Sequence, residues 1–101
     1  MSDTTQERLP TPAEQASIIF GSIANDFEYA SDADVAFFQE DVKALRSFLR
    51  YCEKELDQRL AFTLVSQRFP LDLLERDLTL EDGKRLAAGL RRLAEHFHKQ
   101  P

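Results

Sequence analysis

The sequence predicts a small all-α protein, and three observations support this class. Two segments begin with helix-capping patterns, apolar residues recur at helical spacing along most of the chain, and strand-like alternation is nearly absent. A chain of 101 residues is long enough for one domain and too short for two. We therefore expect a flexible tail over residues 1–10, followed by a single helical domain over residues 11–101.

The first predicted helix covers about residues 12–30. Thr11-Pro12-Ala13-Glu14 places a Thr at the N-cap, Pro at the first helical position and Glu three residues after the cap, which is a capping box. One apolar stripe follows at steps of three and four: Ala16, Phe20, Ile23, Phe27 and Ala30. Gly21 lies inside this helix, where it is about 1 kcal/mol less favourable than Ala, and this indicates a close helix–helix contact.

The second predicted helix is long and central, covering about residues 33–69. Ser31 and Asp32 are its cap candidates, and no Gly or Pro interrupts the chain before Pro70. The apolar register alternates steps of three and four: Val35, Phe38, Val42, Leu45, Leu49, Cys52 and Leu56. After Leu56 the register shifts, which leaves open a bend near Asp57–Arg59. A continuous helix here has ~37 residues and spans ~55 Å.

The last predicted helix covers about residues 80–98. It begins at a second capping pattern, Thr79-Leu80-Glu81-Asp82, and residues 71–78 before it form a short helix or a helical turn. Its apolar stripe consists of Leu86, Leu90, Leu93 and Phe97.

The faces of the long helix indicate a protein interface. About half of its circumference is apolar, because an aromatic band lies beside the main stripe. The first and last helices, at ~19 residues each, are too short to cover a ~55 Å rod along two sides. We therefore predict interface residues on the aromatic band and, next to them, on the second face of the first helix: Phe37, Phe48, Tyr51, Ile18 and Tyr29. The alternative is that the two shorter helices cover the whole band. Pairing of two long helices would close the gap, so we expect a homodimer that also binds another protein.

The net charge of −5 is unevenly distributed. Residues 1–41 carry nine acids and one base, residues 42–69 carry six bases and three acids, and residues 70–101 carry six of each. Two explanations remain open. Either the acidic first helix packs beside the basic middle segment, or the acidic third meets a basic surface on a partner. The negative total argues against nucleic acid as a partner.

No motif predicts an enzyme, a metal site or a cofactor. Cys52 lies on the core stripe, as a buried inert thiol would, and a lone cysteine is typical of a reducing cytoplasm. His96 and His98 are two residues apart and lie on opposite sides of a helix, which makes a poor zinc pair. No apolar run approaches the ~20 residues of a membrane span. Residues 71–98 loosely match a helix-turn-helix whose second helix carries Lys84, Arg85, Arg91 and Arg92, so a DNA-binding regulator remains an alternative.

The layout of a short helix, a long helix and another short helix in a small acidic chain resembles the bacterial anti-activators that bind LuxR-type quorum-sensing regulators and block their dimerisation. The Thr11–Glu14 start, the Val35–Leu56 heptad run and the Phe37/Phe48/Tyr51 band are the features that carry this resemblance. It implies an inhibitor of a transcription regulator. Antitoxins and immunity-type inhibitors can have the same layout, and no functional residue is transferred.

Overall fold

The computed structural model describes residues 9–100, and within this range it consists of helices joined by short turns. The α-helices are α1 (Pro12–Glu28), α2 (Phe38–Glu55), α3 (Leu60–Ser66) and α4 (Leu80–His98), and two 3₁₀ segments cover Asp32–Phe37 and Leu71–Leu74. The all-α class is confirmed. Most of the tail predicted for residues 1–10 lies outside the described residues, and Leu9 and Pro10 are exposed in front of α1.

Both predicted helix starts are present. At α1 the Thr11 hydroxyl accepts the Glu14 N–H at 3.1 Å, and the Glu14 carboxylate accepts the Thr11 N–H at 2.8 Å. Thr79 and Asp82 form the same reciprocal pair at the start of α4, with both distances 3.1 Å. These bonds satisfy backbone donors that a helix N-terminus otherwise leaves unpaired.

The single helix predicted over residues 33–69 is wrong in its continuity. Its first turns are the 3₁₀ segment Asp32–Phe37, α2 ends at Glu55, and α3 begins only at Leu60. The ~55 Å rod is therefore replaced by an 18-residue helix and a 7-residue helix. The argument that the rod outruns its neighbours no longer applies, so an exposed surface has to be identified from the exposure of each side chain.

Asp57 breaks the helix at the place where the register shifts. Its carboxylate accepts the Arg59 N–H at 2.9 Å and the Thr63 hydroxyl at 2.7 Å. A short acidic side chain that binds nearby backbone competes with helical hydrogen bonds and favours a turn. The turn also lets Leu60 and Leu64 of α3 reach the core, where they are buried.

The end of α3 is a Schellman motif, a hydrogen-bonded helix stop with one left-handed residue. The Phe69 N–H donates to the Leu64 carbonyl at 2.9 Å and the Arg68 N–H to the Val65 carbonyl at 3.0 Å. Arg68 has φ 58°, a conformation that glycine adopts more readily. The Arg92 guanidinium of α4 donates to the carbonyls of residues 67 and 68, both at 2.8 Å, and fixes this turn against α4.

The core forms where α1 packs between α4 and α2. Ser17 of α1 donates to the Ala94 carbonyl at 2.7 Å, and Glu28 pairs with Arg91, so α1 and α4 run antiparallel. Ring contacts place α2 on the same core. Phe27 lies 5.1 Å from Phe38 and Phe20 lies 5.0 Å from Phe48, measured between ring centroids, so α2 is also antiparallel to α1.

Two helix glycines have opposite surroundings. A Cβ built on Gly21 meets nothing within 4 Å, so the close contact predicted there is wrong. A Cβ on Gly89 would lie 2.6 Å from Pro70 Cδ and 3.2 Å from Phe69 Cδ1. The close approach therefore occurs in α4, over the turn that follows α3.

Candidate protein-binding surface

The five predicted interface residues do not form one patch. Tyr29 is 74%, Ile18 66%, Phe37 63% and Tyr51 50% exposed, whereas Phe48 is half-buried. The 3₁₀ turns before α2 and the short length of α2 separate residues that a continuous helix would have aligned. The structure divides them among three concavities, which differ in shape and charge.

The first concavity is an apolar groove between α1 and α2, which we call the α1–α2 groove. It has a volume of about 280 Å³ and is lined by Pro12, Gln15, Ala16, Ile19, Phe48 and Tyr51. The Phe48 ring packs edge-on against buried Phe20 and stacks on Tyr51 at 5.9 Å between centroids. Phe48 is therefore the floor of the groove, and Tyr51 and Ile19 present its accessible surface. Ile19, 40% exposed, was not predicted for the interface because it lies beside the core stripe of α1.

The second concavity, which we call the Tyr29–Phe37 concavity, lies between the end of α1 and the start of α2. It is open, with a volume of about 460 Å³, and its lining includes both aromatic rings together with Asp26, Asp34 and Asp41. Burial, followed by the nearby carboxylates of Asp26 and Asp34 and by Glu40, raises the pKa of Asp41. The carboxylates are thus close enough to disfavour one another's charge.

Ile18 lies apart from both aromatic concavities. It lines a shallow depression with Pro10, Glu14, Ser17 and His98, next to the C-terminal end of α4. The structure therefore does not bring Ile18 together with the other four predicted residues.

A further apolar surface lies on α3. Phe62 and Val65 are each 65% exposed and are three residues apart, so they share one helix face. The Arg59 guanidinium lies 5.3 Å from the centroid of the Phe62 ring. Their spacing places Phe62 and Val65 on one face of any helix over residues 60–66, and the packing of α3 leaves that face exposed.

The ion pairs show how far the acidic residues are neutralised within the described part of the chain. Residues 9–41 hold seven carboxylates and no Lys or Arg. Within the described range, Glu28 pairs with Arg91 of α4 at 2.6 Å, and none of Asp26, Asp32, Asp34, Glu40 or Asp41 pairs with a Lys or Arg. Arg46, in the basic middle segment, donates hydrogen bonds to Glu75 and to the Leu74 carbonyl instead of to these acids. None of these five carboxylates is therefore neutralised by an ion pair with residues 42–69.

The segment predicted as an alternative DNA-binding element is occupied by internal contacts. Only one 3₁₀ turn, Leu71–Leu74, precedes α4, so the first helix of a helix-turn-helix is not formed. Arg91 donates to Glu28 and Asn25, both at 2.7 Å, and Arg92 holds the end of α3. The guanidinium groups of both arginines are thus engaged in hydrogen bonds within the protein.

The surroundings of Cys52 and His96 do not favour a catalytic or metal-binding role. Cys52 is fully buried, and burial raises the pKa of its thiol to about 11, which opposes the thiolate that a nucleophile needs. His96 lies edge-on to Phe97, with ring centroids 5.3 Å apart. Over residues 9–100 no three His, Cys, Asp or Glu side chains are placed to hold a metal ion.

No family model, no curated protein and no solved structure matches this chain. Every helix within the described range is too short or too polar to cross a lipid bilayer. The α1–α2 groove is lined mainly by apolar side chains.

Proposed function

We propose that the protein is a small regulatory binding module that inhibits a partner protein through the α1–α2 groove. The observation that supports this is the apolar groove itself. Ile19 is 40% exposed and Tyr51 is 50% exposed above the ring of Phe48. Interface centres favour aromatic side chains that are already held in place, because little conformational entropy is then lost on binding. Tyr51 meets this condition, since its ring is stacked on Phe48.

The specific role that we propose is that of an anti-activator, acting in a bacterial cytoplasm on a transcription regulator such as a quorum-sensing activator. The resemblance in size, acidity and capped helical layout supports this role. An antitoxin or immunity-type inhibitor would use a groove of the same kind, and the identity of the captured partner separates these possibilities.

The partner test compares groove variants with a matched control. Tagged protein is used to capture its partner from the native host, and the affinity of the purified pair is then measured. Ile19→Ala/Tyr51→Ala is expected to weaken binding by about thirtyfold or more, the effect of losing ~2 kcal/mol from interface anchors. Leu71→Ala removes a side chain of the same 40% exposure outside the groove and should leave the affinity unchanged.

Equal affinity for wild type and Ile19→Ala/Tyr51→Ala would refute the groove as the docking surface. The regulatory role has a separate readout. A reporter driven by the captured activator should be repressed by the wild type and released by the groove variant. Phe48→Ala is a poor probe, because its ring packs against the core at Phe20.

We also propose that the protein forms a homodimer, and the exposed apolar face of α3 supports this. Phe62 and Val65 leave about two thirds of their surface open, and a second copy would cover them. Phe62→Ala/Val65→Ala should therefore lower the mass measured by light scattering from dimer to monomer while partner binding persists. A monomer mass for the wild type at micromolar concentration would rule the dimer out.

A further inference from the structure

The Tyr29–Phe37 concavity combines exposed aromatic rings with a group of carboxylates. Two aromatic rings, 74% and 63% exposed, border a concavity whose other walls carry the carboxylates of Asp26, Asp34 and Asp41. Contact of the aromatic rings with water is unfavourable because their surface is apolar, and carboxylates that lie close together repel each other. Both features become favourable once a cation with an apolar, flat face occupies the space.

The charge of the concavity has no counterpart in the described part of the chain. Neither Asp26 nor Asp41 pairs with a described Lys or Arg, although α4 provides Arg91 for Glu28, which is only two residues from Asp26. Asp34 is engaged by Ser31, which donates from its backbone N–H at 2.8 Å and its hydroxyl at 3.1 Å, both neutral donors. Burial and, after it, the carboxylates of Asp26, Asp34 and Glu40 raise the pKa of Asp41, and the second cause agrees with this excess of negative charge.

The helix dipole accounts for part of the cluster and leaves Asp26 unexplained. Asp32, Asp34, Glu40 and Asp41 lie in the first turns of helical segments, where negative charge is favoured. Asp26 lies in the last turn of α1, where the dipole disfavours an acid and where α1 has no basic residue. Asp26 therefore lies at the unfavourable end of a helix, beside two exposed rings, where a cationic ligand would stabilise its charge.

The shape and composition of the concavity favour arginine over other cations. Within residues 9–100 no three His, Cys, Asp or Glu side chains lie close enough together to hold a metal ion. A guanidinium is planar and weakly hydrated, so it can stack on an aromatic face while its edge donates two parallel hydrogen bonds to a carboxylate. An ammonium can satisfy the charge but lacks the flat face and the paired donors.

We propose that the Tyr29–Phe37 concavity binds an arginine side chain presented by the partner protein, with the guanidinium between the two rings and its donors on the carboxylates of Asp26 and Asp41. This rests on the proposed function as a protein-binding module. It adds a second, charged contact at a surface separate from the α1–α2 groove, and it predicts a basic segment on the partner.

The site can be tested without the partner by using a dye-labelled, acetylated hexa-arginine peptide. Its affinity is measured by fluorescence anisotropy, and amide shifts in the ¹⁵N spectrum locate it on the protein. At about 0.15 M salt, where charges act over only about 8 Å, we expect binding with shifts centred on residues 26–41. Hexa-lysine should bind several-fold more weakly, and hexa-glutamate should not bind.

Matched variants separate a site from general attraction to an acidic protein. Asp26→Asn/Asp41→Asn should weaken hexa-arginine binding by about tenfold, and Tyr29→Ala, which keeps every charge, by about threefold or more. Glu53→Gln/Glu55→Gln removes the same total charge from exposed positions about 18 Å or more further along α2 and should change binding by less than about twofold. Equal losses in the two double variants, or an unaltered affinity for Tyr29→Ala, would overturn the proposal.

The native partner then distinguishes this inference from the proposed function. A partner whose binding is weakened by Asp26→Asn/Asp41→Asn, and also by substitution of one of its own arginines with Gln, supports both. A partner lost in Ile19→Ala/Tyr51→Ala but bound equally by Asp26→Asn/Asp41→Asn would keep the proposed function and refute the arginine site. A protein that binds hexa-arginine in the concavity while the groove variants retain full partner affinity would refute the groove and keep the site.

Discussion

Replacing Gly89 by Ala places a methyl group where α4 crosses the turn after α3. The new Cβ would lie 2.6 Å from Pro70 Cδ, about 1 Å closer than the optimal separation of two carbon atoms, ~3.5–4.0 Å. The ring of Pro70 has no rotamer into which it could withdraw. The backbone around it is held by the bond from the Phe69 N–H to the Leu64 carbonyl and by the bond from the Leu73 N–H to the Pro70 carbonyl at 3.0 Å.

The expected magnitude is the difference between two effects. Ala is about 1 kcal/mol more favourable than Gly inside a helix, whereas forcing an extra methyl group into a packed interior destabilises by about 1–3 kcal/mol. Because the neighbour is a rigid ring, we expect a net loss of about 1–2 kcal/mol in the free energy of unfolding of Gly89→Ala.

Gly21→Ala is the matched control, because the chemical change is identical and its Cβ meets nothing within 4 Å. It should stabilise the protein by about 0.5–1 kcal/mol. Urea unfolding followed by circular dichroism measures both variants on the same scale. A Gly89→Ala protein as stable as the wild type would refute the close approach, and a destabilised Gly21→Ala protein would refute the open surroundings of α1 at that point.

Three further predictions follow from local geometry. Arg68→Gly should stabilise the protein by about 1 kcal/mol, because Gly adopts φ 58° without the steric penalty of a side chain, and a lower urea midpoint would contradict this. Cys52 should react with a thiol reagent only as fast as the protein opens, because its thiol is buried and un-ionised at neutral pH with a pKa raised to about 11; immediate modification of the native protein would contradict its burial. Hydrogen bonds from Arg76 and Thr79 lower the pKa of Asp82, so its carboxylate stabilises the fold above its unfolded pKa, and this stability is lost as pH falls through the lowered folded value. Asp82→Asn should therefore be less stable than the wild type at neutral pH and approach it in acid, as measured by unfolding midpoints across pH; a constant difference would refute the linkage.

Helix starts could be predicted from the sequence because their determinants are local. The Thr11 and Thr79 caps each need only a partner three residues away, so Pro12 and Leu80 are correct as first helical residues. The start of α2 could not be predicted in this way. Ser31 and Asp34 form a capping box, but it begins a 3₁₀ segment, and α2 starts at Phe38 without a side-chain cap.

The continuity of the middle helix depended on interactions that propensity does not encode. No Gly or Pro lies near the break, and the chain turns because Asp57 binds Arg59 and Thr63. The shift of register after Leu56 was the visible signal, and it coincides with the break. Helix propensity is a weak constraint, and a turn that buries Leu60 and Leu64 outweighs it.

The candidate surfaces were predicted residue by residue but not as groups. Exposed aromatic character identified Phe37 and Tyr51, yet which residues share a concavity depends on how three helices cross. Tyr29 and Phe37 are eight residues apart in different elements and line one concavity, whereas Phe37 and Phe48 were assigned to one band and line two. The prediction of a close helix contact at Gly21 was wrong for the same reason, since only tertiary contacts distinguish Gly89 from Gly21.

The pairing of α1 with α4 has a consequence for folding while the chain is being synthesised. Ser17 donates to the Ala94 carbonyl, 77 residues further on, so α1 is synthesised well before the helix against which it packs. Until α4 has been synthesised, Phe20 and Phe27 have no α4 to pack against and remain open to chaperones and proteases. Closing so long a loop also slows folding compared with a bundle of sequential neighbours. Loss of the end of α4, where Phe97 stacks on Phe20, would therefore expose α1.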